Sequence, residues 1–209
     1  MNHKPLIVGL GGSGSATAST ERILGLALGA AERAGAATRR FDACELDMPL
    51  YRYGGERTGK AVALIEALRS ADGVIIASPG YHGTVSGLVK NAIDYVEDMA
   101  GDERTYLQDR AVGLIAVAAG WQATGSTLAT LRSIAHALRG WPTPMAVTVN
   151  SALPVFDDRG GLADAGVATQ LDIMARQLVD FARLRSGKDN SAAGAALDRP
   201  GSYEEKNHG

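Results

Sequence analysis

The residues best placed for chemistry stand at the start of the chain, in the stretch PLIVGLGGSGSATAST from Pro5 to Thr20. Gly9, Gly11 and Gly14 spell G-x-G-x-x-G, the glycine spacing of a dinucleotide pyrophosphate loop. That motif needs bare backbone and an acidic residue about 20 positions further on for the ribose. The candidate at the end of the next strand is Asp42, 28 residues beyond Gly14. Hydroxyls instead fill the loop after Gly12, at Ser13, Ser15, Thr17, Ser19 and Thr20. Hydroxyls and helix-terminal N–H groups suit a terminal phosphate monoester, with the helix dipole assisting. The same residues also read as a plain Ser/Thr helix cap.

A second stretch, SPGYHGTVSGLVKNAIDYVEDM from Ser78 to Met99, resembles the flavin-contacting segment of the NADPH-dependent FMN reductase family, S-P-x-Y-N-G-S/T-x-x-G-x-L/V-K-N-A-x-D. The matches are Ser78, Pro79, Tyr81, Gly83, Thr84, Gly87, Val89, Lys90, Asn91, Ala92 and Asp94, and LDMPLY at Leu46–Tyr51 resembles a further loop of that family. The resemblance implies a flavodoxin-like fold, FMN as cofactor or substrate, hydride from NADPH (or NADH), and a homodimer or a tetramer of dimers. It places the phosphate on Gly12, Ser13, Ser15, Thr17, Ser19 and Thr20, with Ser15 where the family carries arginine. It places the flavin ring on Ser78, Pro79, Gly80, Tyr81, His82 and Gly83, with His82 where asparagine is usual. A third loop, AAGWQATGS, is expected to contribute Gly120, Trp121 and Gln122 from across the ring.

A flavin carries the hydride chemistry itself, and the protein has to stack two rings and leave one face open. No acid, base or nucleophile is obligatory, so no catalytic residue is assigned. Two other readings stay open. Trp121 as a shield over the ring would suit a one-electron carrier, although such carriers are strongly acidic and this chain has a net charge of -2. The literal G-x-G-x-x-G would suit a flavin-free NAD(P)-binding dehydrogenase. Arg52, Arg57 and Arg104 are the cations that could meet a 2′-phosphate.

Loops of this kind need a sheet that brings strand ends together. Strands are expected at Leu6–Leu10, Thr38–Asp42, Gly73–Ala77, Ala111–Val117 and Met145–Val149, each an aliphatic run between helical patterns. The stripes are Ile23, Leu24, Ala27, Leu28 and Ala31; Val62, Ile65 and Leu68; Leu128, Leu131, Ala135 and Leu138; and Leu171, Met174, Leu178 and Phe181. Alternating strands and helices predict a doubly wound α/β domain with five parallel strands in the flavodoxin-like order 2-1-3-4-5 and helices on both faces. Ligands then bind beyond the carboxyl ends of the strands, where all three loops fall.

The 209 residues suit one domain, expected over 1–185, and the segment 186–209 is too poor in large apolar residues to pack and is expected to be a flexible tail. Acids and bases are interspersed, so neither nucleic acid nor a membrane surface is the expected partner; small-molecule nucleotide and flavin substrates are. Four histidines at 3, 82, 136 and 208 and the single cysteine, Cys44, show no metal-ligand spacing. One cysteine and no leader-like segment point to the cytoplasm.

Overall fold

The structure, a computed structural model, describes residues 4–15 and 17–195. Its sheet has β1 (Leu6–Gly11) at the centre of a parallel ladder, with β2 (Ala37–Phe41) on one side and β3 (Gly73–Tyr81) on the other. β3 continues into β5 (Ala111–Ala118). β5 carries two short pieces on its far edge, β6 (Trp141–Pro142) and β7 (Val147–Asn150). A two-residue arm, β4 (Thr84–Val85), folds back antiparallel on the end of β3.

The five expected strands thus become seven, for two local reasons. The expected fifth strand, Met145–Val149, is β7, and β6 is an added piece ahead of it, kept apart because Pro142 and Pro144 have no N–H to offer a ladder, while Thr143 bridges the gap by donating its N–H to the Val112 carbonyl at 3.0 Å. The other addition is β4, a hairpin return in the second loop. Counted by position, the parallel order remains 2-1-3-4-5.

Side chains alternate along each inner strand. Val8, Leu10, Val74, Ile76, Val112 and Leu114 enter one core, while Ile7, Ile75, Ile115 and Val117 enter the other. α1 (Ser19–Arg33) and α6 (Ala165–Ala195) cover the second core; α3 (Gly59–Ser70), α4 (Gly87–Asp94), a 3-10 turn (Tyr95–Met99) and α5 (Trp121–Ala137) cover the first. Burial on both faces is why β3 and β5 read as unbroken apolar runs. The stripe of α3 is Ala61, Leu64, Ile65 and Leu68, a clean i, i+3, i+4, i+7 set, and Val62, expected inside, is exposed one position round the helix.

A short helix, α2 (Ala43–Leu46), follows β2 and is closed by a capping box in which Asp42 accepts the Cys44 and Glu45 N–H groups. α6 runs past the expected boundary at 185, and residues 196–209 of the expected tail lie outside the described residues.

Candidate functional site

β1 delivers the chain to Gly12, and there is no room at that position for any side chain. A Cβ on Gly12 would lie 1.8 Å from Val89 Cγ2 and 3.0 Å from Ser86 Oγ. Ser86 explains the close approach. Its hydroxyl donates to the Gly12 carbonyl at 2.7 Å and accepts the Val89 N–H at 3.2 Å, capping α4. Its own N–H donates to Ser78 Oγ at 3.0 Å. Ser78 is fully buried, so its hydroxyl braces the first loop against the second from beneath the surface rather than facing a ligand.

Of the hydroxyls expected on the phosphate, Ser15 and Thr17 are exposed and lie 3.1 Å apart, and Ser19 is half-buried at the start of α1. Ser13 and Thr20 are turned inward. The Ser13 hydroxyl donates to the Ser15 carbonyl at 2.9 Å, and its N–H is directed at the carboxylate of Glu21, 3.4 Å away. α1 has Ala18 as its N-cap and no side-chain cap, so its first N–H groups are left to solvent or a ligand. The alternative reading of these residues as a plain cap therefore fails at the capping position itself.

The second loop is the hairpin β3–β4. Tyr81 pairs with Thr84, and the two residues between, His82 (φ 51°) and Gly83 (φ 89°), both lie in the left-handed region of a type I′ turn. This explains why asparagine or histidine suits position 82, since both tolerate αL better than other side chains. Pro79 is buried, Gly80 half-buried, and Tyr81, His82 and Gly83 are exposed.

In the third loop the backbone at Gly120 (φ 126°) is one that only glycine adopts readily. Its N–H donates to Asn150 Oδ1 at 2.9 Å, which anchors the loop to the end of β7. Trp121 and Gln122 are not loop residues; they form the first turn of α5, and both are exposed.

A cavity of about 470 Å³ opens at the switch point between β1 and β3. Gly12, Gly14 and Tyr81 line it, together with Gly87 and Leu88 from α4 and Asp42, Cys44 and Asp47 beyond β2. Gly120, Trp121 and Gln122 are not among its lining residues; β3 passes close to α5 at Gly80, where a Cβ would lie 2.6 Å from Thr127 Oγ1 and 3.0 Å from Ala118 Cβ. Open space also fronts Gly14, Gly83, Gly87 and Gly120, where a Cβ would meet nothing within 4 Å. Bare backbone, exposed hydroxyls and an uncapped helix start fit a flat ligand carrying a phosphate.

The wall beyond β2 is held by residues whose sequence signal was visible only as part of the motif. Asn91 accepts the Tyr51 N–H at 2.9 Å and donates to the Met48 and Pro49 carbonyls at 3.2 and 3.0 Å; Tyr95 donates to Pro49 at 2.9 Å. Arg57 forks onto Asp98 at 2.5 and 2.7 Å. That hydrogen bonding holds the Asp98 carboxyl below its ordinary range, while burial and then the Asp98 charge push the Tyr51 hydroxyl up. Arg57 is therefore committed and unavailable to a 2′-phosphate. Arg104 lies in a cleft with Asp72 and Asp109 at the opposite end of the sheet, and Arg52, exposed, lines a separate hollow with Pro49, Leu50 and Tyr95.

Residues 5–153 match the family described as NADPH-dependent FMN reductase. An FMN-dependent NADPH-azoreductase of Staphylococcus aureus is 28% identical over 120 residues, which are 56% of this chain and 60% of the relative. The chain thus spans about 60% of the length of the curated relatives it matches. Among solved structures, the flavoenzyme NAD(P)H:(acceptor) oxidoreductase FerB of Paracoccus denitrificans superposes with a TM-score of 0.68 at 17% identity, covering 86% of this chain and 98% of that one. The apo form of an NADH:FMN oxidoreductase, EMOB, superposes with a TM-score of 0.65 at 22% identity, covering 87% and 90%. At these identities the two structures share the fold.

Proposed function

Because the chain belongs to the NADPH-dependent FMN reductase family, we propose that it moves a hydride from NADPH or NADH to FMN and the electron pair on to an acceptor such as free flavin, a quinone or an azo compound. The observation that carries this reading is the cavity between the ends of β1 and β3, lined by the bare glycines Gly12, Gly14 and Gly87, with the hydroxyl-rich stretch from Ser13 to Thr20 following Gly12 in the chain. When bound, the flavin supplies the redox chemistry. This chain's residues bind and orient: Ser15, Thr17 and Ser19 with the N–H groups of α1 receive the phosphate, and the hairpin Pro79–Gly83 carries the ring's polar edge. Tyr81, exposed at the cavity, would be the side chain of the hairpin available to lie against the bound ring.

The two competing readings lose support in the geometry. A carrier needs an aromatic cover on the ring, and Trp121 stands outside the cavity lining, 60% exposed. A dinucleotide loop needs all three glycines at the turn, whereas Gly9 is a ladder residue inside β1, paired with Arg40 and Ile75.

The reading includes a homodimer in the cytoplasm. Leu50 and Tyr53, 78% and 89% exposed, and Trp121 and Leu153 are large apolar groups on the site's side of the sheet, and a second copy would cover them. Among the described residues no helix is long and apolar enough to cross a membrane, and Cys44 is an exposed free thiol, as a reducing compartment allows. The purified protein is expected to quench FMN fluorescence on titration and to scatter light as a dimer. A monomer at all concentrations removes the dimer, and the absence of any flavin binding removes the cofactor.

A further inference from the structure

The phosphate loop has a charge problem that the sequence motif hides. No lysine or arginine lies between Gly12 and Thr20. Of the two arginines that the fold brings beside the start of α1, Arg22 is committed: it donates to the Gly160 carbonyl at 2.8 Å and lies 3.4 Å over the Phe156 ring. The other is Arg40 of β2, which forms an ion pair with Glu21 at 2.5 Å. Glu21 is fully buried in the first turn of α1, directly above the end of β1. A Cβ on Gly11 would lie 2.4 Å from both of its carboxylate oxygens, so the glycine at 11 makes the space that the carboxylate occupies. The same carboxylate faces Ser13 from below, 3.4 Å from its N–H and 3.5 Å from its hydroxyl. It therefore neutralises the arginine of β2 that stands beside the loop, while Lys60 on the far wall of the cavity is taken by the Cys44 and Asp47 carbonyls, and it draws inward a residue that could otherwise donate to a phosphate.

Resting on the FMN reading above, we propose that Glu21 is the positioning and charge-setting residue of the phosphate loop. It anchors Ser13, neutralises Arg40, and leaves the phosphate of FMN to neutral donors, so that flavin binds loosely enough to exchange as a substrate. Phosphate recognition by neutral donors is weaker than by a charged fork, and the buried carboxylate adds repulsion. The placement is costly, because a buried acid must be paired and bonded to persist, which Arg40 and Ser13 accomplish.

Comparing FMN with riboflavin isolates this effect, because the two differ in the phosphate. Glu21→Gln keeps an oxygen to accept from Ser13 and frees the charge of Arg40. It is expected to raise FMN affinity about three- to tenfold, leave riboflavin affinity unchanged, and steepen the salt dependence of FMN binding. Glu21→Gln combined with Arg40→Gln removes both charges and is expected to return the FMN-to-riboflavin ratio to that of the parent. Should Glu21→Gln fail to fold, Arg40→Gln alone carries the test, and it is expected to lower the ratio by leaving the carboxylate uncompensated. A ratio unchanged in both single variants, or lowered in Glu21→Gln, overturns the proposal while flavin binding itself stands. Binding of neither flavin by the parent protein overturns the cofactor reading, and this inference with it.

Discussion

Gly12→Ala is expected to lower FMN affinity roughly tenfold to a hundredfold, the scale of losing hydrogen bonds to a charged group. The added methyl would be driven to 1.8 Å from Val89 Cγ2. Val89 cannot withdraw, because it is fully buried in α4 and packed in the core. The loop must move instead, which breaks the bond from Ser86 to the Gly12 carbonyl and misplaces every donor that follows. Overpacking of this kind also costs about 1–3 kcal/mol of stability. Gly101→Ala is the control, since a Cβ there meets nothing within 4 Å, its backbone is not in the left-handed region and it is not among the cavity's lining residues. Urea unfolding and fluorescence titration of the two variants check both effects; equal FMN affinity in the two would show that the Gly12–Ser86 contact does not position the phosphate loop.

The second large effect lies at the other end of the sheet. Arg110→Met is expected to cost about 3–5 kcal/mol of unfolding free energy, on the scale of breaking a buried charged network. Arg110 is 1% exposed and donates to the backbone carbonyls of Ala71, Tyr106, Gln108 and Arg69 at 3.0, 3.0, 3.2 and 2.9 Å. These bonds tie the end of α3 and the turn before β5 to one side chain. Burial pushes its pKa down to about 10, so the charge itself opposes folding and the four carbonyls offset that cost. The sign follows: the unfolded chain holds this proton more tightly, so stability attributable to this group rises only as pH climbs from about 10 toward the usual arginine value. At neutral pH the methionine removes the donors and strands the carbonyls. Denaturant titration measures the loss, and FMN affinity of the folded variant is expected to match the parent because the residue is remote from the cavity.

How much of this could be read from the chain depends on how each residue is used. β3 and β5 were legible because strands buried on both faces must be continuously apolar. The short strand β6 was not, since it is two residues long and Pro142 and Pro144 set it apart from the apolar run around Val147 and Val149. The hairpin at Tyr81–Thr84 escaped because its turn is His-Gly rather than the Asn-Gly or Asp-Gly that signals a type I′ turn. The motif from Ser78 to Asp94 borders the cavity at Tyr81, Ser86, Gly87 and Leu88, yet several of its polar residues act on the protein: Ser78, Ser86 and Asn91 lock one loop to another. Glu21 was invisible because an acid in the first turn of a helix ordinarily faces solvent and favours the dipole. Only the packing of β2 against α1 shows that it is buried under Arg40.

The central claim, a nicotinamide-dependent flavin reductase, is tested most directly by anaerobic rapid mixing of the FMN-loaded protein with NADPH and, separately, with NADH, following the absorbance of oxidised flavin. An open ring face beside Tyr81 predicts fast bleaching in a single two-electron phase, with one reduced nicotinamide consumed per flavin. Flavin that dithionite bleaches, but that neither NADPH nor NADH bleaches faster than free FMN in buffer, would contradict it.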